Sequence, residues 1–163
     1  MSAYEQAMDL LAREGIAYAR VDHPAAYTAE QMTALHLDTG GVDCRNLFLQ
    51  NGRQDRYFLL MVANDKAVDL KALRARLGSS RLGFASPERL MDCLGVIPGA
   101  VSPLGAVHDD RGRVTVLLDA DLDHAAGLCV HPNDNTVTLT LSPADLDRYL
   151  VACGHPARRV RIP

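Results

Sequence analysis

The chain has 163 residues, of which 48% are hydrophobic and 23% charged, as is ordinary for a globular protein with one sizeable core. No run approaches eighteen apolar residues, and the opening MSAYEQAMDLLAREG has no signal-peptide pattern, so we expect a cytoplasmic protein that does not enter a membrane. The net charge of −3 argues against a general DNA-binding protein, but residues 45–89 carry +5, which suits one short anionic ligand.

The first half of the chain predicts a mixture of helices and strands. In chain order these are a helix over 3–13, a strand over 16–23, a helix from 28 toward 37, and a hairpin over 45–63. Gly15 should stop the first helix, and Thr28 with Gln31 forms a capping box for the second. The turn signal of the hairpin is the short polar segment that contains Asn51-Gly52.

The second half continues the mixture without strict alternation. It predicts helices over 70–78 and 88–95, a strand over 113–119, a short helical or turn segment over 122–127, two strands over 127–132 and 135–141, a helix that follows Ser142 and ends near Gly154, and an edge strand over 158–163. The helix starts are marked by Asp69, Ser86 and Ser142. This order favours an α+β fold in a single domain, residues 1–163, with a mixed or antiparallel sheet.

The usual catalytic motifs are absent from the sequence, which has no P-loop, no G-x-G-x-x-G, no H-E-x-x-H and no G-x-S-x-G. The four cysteines lie far apart without a C-x-x-C, so we expect reduced thiols, and a zinc site from Cys44, Cys129 and histidines is disfavoured because the ligand spacing is missing. His23 and His131 each precede a proline in an extended or turn dipeptide, where a structural role and a site role both stay open.

The stretch GVIPGAVSPLG, residues 95–105, combines three glycines and two prolines with almost no side-chain chemistry. Proline stiffens the backbone, and glycine permits positive φ or a close approach. Such a loop is either a rigid connector or a wall that presents backbone N–H groups to a ligand. Because Gly95 alone suffices to cap the preceding helix, the additional glycines favour the second interpretation.

Several separated segments resemble one known family. They are DHPAAYTAEQ, RNLFLQN, DLKALRARLGSSRLGFAS, LGVIPGAVSPLG and VHPNDNTVTLTLS, in the same order and at similar spacing as in the YbaK/prolyl-tRNA synthetase-associated editing-domain superfamily. The resemblance is closest to its freestanding members, the PrdX group, which deacylate mischarged alanyl-tRNA(Pro). It implies a compact α+β domain with a mixed, partly curled sheet and flanking helices. It also implies hydrolysis of the ester at the 3′ acceptor end of mischarged tRNA(Pro), prolyl-tRNA synthetase as a protein partner, and no metal or organic cofactor.

The resemblance also assigns site residues. Arg45 stands where the family usually has a lysine that is thought to hold the terminal phosphate or sugar. The implied catalytic residues are Asn46, Gly99 and His131. The implied substrate-binding residues are Arg45, Asn46, Gly95, Pro98, Gly99, Ser102, Gly105 and His131, and Pro103 also matches the loop. We therefore expect the segments around Arg45, residues 95–105 and His131 to converge on one cleft.

Two alternatives stay open beside a deacylase. Arginine keeps the charge of lysine but is larger and forked, so the chain could be a non-catalytic module of the same fold that binds an aminoacyl or nucleotide group. An unrelated small-molecule binder is the third interpretation. Turnover of mischarged tRNA(Pro), or binding without turnover, separates the three.

Overall fold

Five α-helices and eight β-strands follow one another irregularly along residues 1–162, the part of the chain that the computed structural model describes. The helices are α1 (Ala3–Arg13), α2 (Ala29–Ala34), α3 (Leu70–Leu77), α4 (Pro87–Leu94) and α5 (Pro143–Ala152). The strands are β1 (Ala19–Asp22), β2 (Cys44–Asn51), β3 (Tyr57–Ala63), β4 (Leu82–Phe84), β5 (Val114–Asp119), β6 (Leu128–Val130), β7 (Val137–Leu141) and β8 (Arg158–Val160). Two short 3₁₀ helices span Pro103–His108 and Ala120–His124.

The predicted helix boundaries hold where capping residues mark them. Asp69, Ser86 and Ser142 each accept hydrogen bonds from backbone N–H groups in the first turn of α3, α4 and α5. Gly78 and Gly95 end α3 and α4 in the left-handed conformation, with φ of 62° and 69°.

Several boundaries differ from the sequence prediction by a few residues, including those of β6, β7 and the second 3₁₀ helix. Helix α2 ends at Ala34 rather than near Leu37, because His36 adopts a φ of +50° that a helix cannot continue through. Strand β1 is shorter than residues 16–23, since Ile16 instead packs into the core beside α1. The 3₁₀ helix Pro103–His108 takes up the last part of the glycine-proline loop, with Ser102 as its N-cap.

The strands form two sheets rather than one. The five-stranded sheet has the order β4-β2-β3-β5-β8, in which β5 pairs parallel with β3 and β8, and the other pairs are antiparallel. The second sheet, β1-β7-β6, is antiparallel. An isolated bridge between Val42 and Leu128 connects the two. The predicted mixed sheet and the edge position of β8 are confirmed, whereas β4 was not predicted.

Helices cover both sheets and bury three apolar clusters. Helices α1 and α5 pack with the three-stranded sheet, α3 covers one face of the five-stranded sheet, and α4 covers part of the other. The buried hydroxyl of Tyr149 on α5 donates to the Leu104 carbonyl at 2.7 Å, which ties α5 to the glycine-proline loop. Within residues 1–162, no helix is long and apolar enough to cross a bilayer.

Candidate functional site

A cleft of about 420 Å³ opens between the two sheets. Its walls are the start of β2, the end of β6 with the following turn, the segments before and after α2, and the loop after α4. The sequence-predicted residues Arg45, Asn46, Gly99 and His131 all line it. The structure thus brings together residues from three distant parts of the chain, as expected from their joint appearance in the sequence.

The cleft exists because the first half of β2 has a free edge. Strand β4 pairs only with residues 49–51 of β2, and β6 meets the chain at the Val42–Leu128 bridge before the strands diverge. The backbone N–H of Asn51 donates to the Arg56 carbonyl at 3.1 Å, and that of Asn64 donates to the Asp43 carbonyl at 2.8 Å. In an antiparallel pair every second residue is hydrogen-bonded to its partner, so the odd-numbered residues of β2 are bonded to β3. Asn46 falls between those pairs, so its backbone N–H and C=O point away from β3, toward the free edge.

The protein binds only part of the Arg45 guanidinium. One terminal nitrogen donates to the Lys66 carbonyl at 2.7 Å, while Nε is buried without a hydrogen-bond partner among the described residues. The neighbouring Asn46 leaves its buried Oδ1 without a partner as well. Buried polar atoms are normally satisfied, so each of these unpartnered atoms, on two residues that line the cleft, indicates a place for a polar ligand.

His131 contributes a basic nitrogen to the cleft. Its Nδ1 lies 2.9 Å from the Val137 carbonyl, which can only accept, so Nδ1 carries the proton and Nε2 keeps a lone pair. Burial lowers the pKa of the His131 ring below its ordinary 6.5, which favours this neutral form at pH 7. The ring stands edge-on to His23 with centroids 6.2 Å apart.

His23 contacts a residue that lines the cleft. Its Nδ1 lies 2.9 Å from the Pro24 carbonyl and so donates, which makes Nε2 the acceptor of the Thr138 hydroxyl at 2.8 Å. Thr138 lines the cleft, and His23 itself is buried. Of the two histidines that precede prolines, His131 therefore faces the cleft and His23 orients a cleft residue.

The loop after α4 supplies bare backbone. Ala100 N–H donates to the Ile97 carbonyl at 3.1 Å, which closes a tight turn with Pro98 second and Gly99 third at φ +93°, the sequence typical of a type II turn. A Cβ on Gly99 would lie 2.8 Å from the Cα of Tyr27, so the loop packs directly on the segment before α2. Within residues 1–162, the N–H groups of Gly99 and Val101 donate no hydrogen bond. Both residues line the cleft.

The thiols in the cleft are not prepared for nucleophilic attack. Cys44 and Cys129 both line it, and all four cysteines are free. Burial raises the pKa of Cys44 to about 12 and also raises that of Cys129, which keeps both protonated at neutral pH. Over the described residues, no group of three or more histidine, cysteine or acidic side chains is placed to hold a metal ion.

We predict that the His131 ring titrates below pH 6.5 in the folded protein, which an NMR titration of the histidine ring protons measures. The unfolded chain binds this proton near pH 6.5, and the folded chain binds it only at lower pH because burial disfavours the charge. The stability that neutral His131 contributes is therefore fully present above pH 6.5. It is lost as the pH falls from 6.5 to the lower pKa of the folded protein. His131→Gln should remove this part of the pH dependence, and a midpoint at or above 6.5 would contradict the prediction.

Comparison with known proteins identifies the family of the chain. Residues 23–149 match the aminoacyl-tRNA editing domain family. The chain is 34% identical over 147 residues to the prolyl-tRNA editing protein ProX of Acetoanaerobium sticklandii, covering 90% of each chain. It belongs to the aminoacyl-tRNA editing domain family.

Two further comparisons, one with a relative and one with a solved structure, extend this result. The prolyl-tRNA synthetase associated domain-containing protein 1 of Danio rerio is 34% identical over 149 residues, which cover 90% of this chain and 80% of that protein. A crystal structure of a candidate trans-editing enzyme for prolyl-tRNA synthetase superposes with a TM-score of 0.73 at 20% identity, over 99% of this chain and 97% of that one. That structure shows the same fold.

Four loop residues predicted to bind substrate lie outside the lining of this editing domain's cleft. Gly95 caps α4, and a Cβ there would lie 2.8 Å from the His108 ring. Ser102 is fully buried and accepts from Leu104 N–H at 3.1 Å, while Gly105 packs on Leu94. Pro98 is exposed beside Gly99. Their observed contacts shape the loop, and any contact of theirs with substrate stays a prediction.

Sequence reasoning missed other lining residues of the editing domain. Tyr27, Asn64 and Thr138 line the cleft, although none was singled out. Thr138 carried a weak signal at most, since it is one of two threonines in the strand VTLTL, and its burial becomes visible only in the structure. Tyr27 belongs to the segment DHPAAYTAEQ, although nothing marked that residue itself, and Asn64 carried no signal, because only the long-range fold brings it to the cleft.

Proposed function

We propose that this editing domain is a trans-acting deacylase, which hydrolyses the ester between a wrong amino acid and the 3′-terminal adenosine of tRNA(Pro), with alanine as the amino acid removed. The observation that carries the proposal is the buried, unpartnered pair Arg45 Nε and Asn46 Oδ1 in a cleft that also holds Gly99 and His131. Family membership and the name of the ProX relative support the substrate class.

In this proposal Arg45 binds the anionic end of the substrate. A guanidinium donates several N–H groups in a fixed fork that suits phosphate, and one of its nitrogens is already held by the Lys66 carbonyl. The buried Nε–H then gains the partner that it lacks. Asn46 Oδ1 accepts from a ribose hydroxyl or from the ammonium group of the amino acid.

The chemical step needs no protein nucleophile. The oxygen of a water molecule bonds to the ester carbonyl carbon, the bond from that carbon to the ribose oxygen breaks, and a proton ends on the ribose oxygen. Neutral His131 offers Nε2 as an acceptor for the water or for the neighbouring ribose hydroxyl. The free N–H groups of Gly99 and Val101 are the donors available to the developing oxyanion.

Selection against prolyl ester rests on exclusion. One methylene changes binding by only about 1–3 kcal/mol, so attraction alone discriminates poorly between small side chains. The backbone at Gly99 packs tightly on the segment before α2, since an added Cβ would lie only 2.8 Å from the Tyr27 Cα. A stiff wall of this kind rejects a bulkier or cyclic side chain by overlap.

The proposal extends to the setting of the protein. Residues 1–163 act as a single editing domain in the cytoplasm, bind the acceptor end of mischarged tRNA(Pro), and work alongside prolyl-tRNA synthetase. Arginines and lysines give residues 45–89 their net charge of +5, which favours association with the acceptor end.

The test is incubation with tRNA(Pro) charged with alanine, cysteine, serine or proline. We expect rapid release of alanine and no release of proline above the rate without protein. Rapid release of cysteine or serine instead would keep the deacylase and replace the amino acid. Binding without turnover of any ester would support the non-catalytic module, and neither binding nor turnover would overturn both.

A further inference from the structure

The turn after β3 forms one edge of the cleft. Lys66 N–H donates to the Ala63 carbonyl at 3.0 Å and closes the turn, and Asn64 N–H donates to the Asp43 carbonyl at 2.8 Å. Asn64 lines the cleft. The position of this turn therefore decides part of the shape of the site.

The Lys66 side chain fastens this turn to the end of β5. Its Nζ donates to Asp119 at 2.6 Å and to Asp121 at 2.9 Å. Asp119 is only 1% exposed, and its second oxygen accepts from Asp121 N–H at 3.1 Å. A carboxylate so deeply buried requires its cation, so the pair fixes the turn more firmly than a surface ion pair would.

The Lys66 backbone faces the other way and holds Arg45. Its carbonyl accepts from the guanidinium at 2.7 Å, which is the one hydrogen bond of that guanidinium among the described residues. This contact holds the far end of a long and otherwise flexible side chain, so it contributes to where the charge points. Lys66 thus connects a buried carboxylate on β5 with the cation of the cleft.

We propose that Lys66 and Asp119 are positioning residues for Arg45: their ion pair fixes the turn whose carbonyl directs the guanidinium into the cleft. The proposal rests on the proposed function, in which Arg45 binds the anionic part of the substrate. Loss of the ion pair leaves the chemistry intact but lets the turn and the guanidinium move. It should therefore raise KM and leave kcat nearly unchanged.

A double-mutant cycle separates positioning from a general loss of structure. Lys66→Met should raise KM for the mischarged tRNA about three- to tenfold when Arg45 is present, and have a much smaller effect on kcat/KM in the Arg45→Ala protein, where only the edge of the cleft can still shift. Asp119→Asn should follow the same pattern, and Lys66→Arg should recover most of the affinity. Melting temperatures are recorded for every variant so that all assays are run well below unfolding.

The chain offers a closely matched control at the other end of β5. Arg113 pairs with exposed Asp92 at 2.9 Å and lies 3.8 Å from buried Asp109, with a side chain 26% exposed against 24% for Lys66. Arg113→Met removes a comparable ion pair and should change melting temperature without raising KM. An equal rise of KM in both variants would overturn the proposal.

A second readout does not depend on activity. In an NMR spectrum, the signal of the Arg45 Nη–H that donates to the Lys66 carbonyl should be sharp and slow to exchange with solvent in the parent protein, and broad or fast-exchanging in Lys66→Met. If the parent protein hydrolyses no ester, the proposed function fails while this spectrum still decides the positioning role. An unchanged Arg45 signal in Lys66→Met, or an equal loss of kcat/KM with and without Arg45, would refute it.

Discussion

Gly99→Ala is expected to lower kcat/KM for the mischarged ester at least tenfold while the protein stays folded at the assay temperature. The new Cβ would lie 2.8 Å from the Tyr27 Cα and 3.2 Å from the Ala26 carbonyl oxygen, and neither backbone atom can turn away as a side chain could. The loop or the segment before α2 must shift. A tenfold loss corresponds to roughly 1.4 kcal/mol of transition-state stabilisation, a modest effect for displaced oxyanion donors.

Gly112→Ala separates this effect from backbone strain. Gly112 has a φ of +67° and no atom within 4 Å of an added Cβ, so alanine there carries the left-handed penalty, about 1–2 kcal/mol, without a collision. It should lose stability and keep parent turnover per folded molecule. If the glycine-proline loop only connects α4 to the next strand, Gly99→Ala will likewise keep parent kcat/KM once corrected for the folded fraction.

Arg45→Ala is expected to weaken binding of the mischarged tRNA end by about 10- to 100-fold. Hydrogen bonds to charged groups contribute about 1.5–3 kcal/mol, and each 1.4 kcal/mol is a factor of ten in affinity. Arg45→Lys should retain most activity, since an ammonium can still reach an anion. Steady-state kinetics measure the activity of the variants, and direct binding to uncharged tRNA(Pro) measures their affinity.

Arg111→Ala is the control for lost charge. Arg111 is exposed and lies just before β5 begins. Arg45 pairs with Val62 on β3, and the adjacent residue Met61 pairs with Leu118, near the end of β5. The two arginines therefore sit at opposite ends of the sheet, and Arg111→Ala should bind within about twofold of the parent. An Arg45→Ala protein that deacylates as fast as the parent would remove the assigned role.

Local signals in the sequence predicted most of the fold. Serine, aspartate and glycine at helix ends act through their own backbone neighbours, so α1, α3 and α4 begin or end where those residues stand. The β2–β3 hairpin was also visible, although Gln54 rather than Gly52 has the positive φ in its turn. Strand β4 has three residues, too few for a periodic pattern, and the end of α2 depends on the backbone of His36.

The site was predictable only in part, for a different reason. Arg45, Asn46, Gly99 and His131 belong to recognisable segments, and the structure places all four in the cleft. The partner that holds Arg45, Lys66, lies outside those segments. The Lys66 carbonyl acts through its backbone, which no residue type reveals, and its contact with Arg45 crosses from one strand end to another.

The way the two sheets meet has a consequence for how the protein folds. One wall of the cleft is the hairpin of β2 and β3, and the other is the hairpin of β6 and β7, each built from contacts that are close in sequence. They meet at the Val42–Leu128 bridge, across a long loop of chain whose closure opposes folding entropically. We therefore expect the hairpins to form before the cleft, which needs this long-range contact. Recovery of activity during refolding reports that docking rather than the formation of either hairpin.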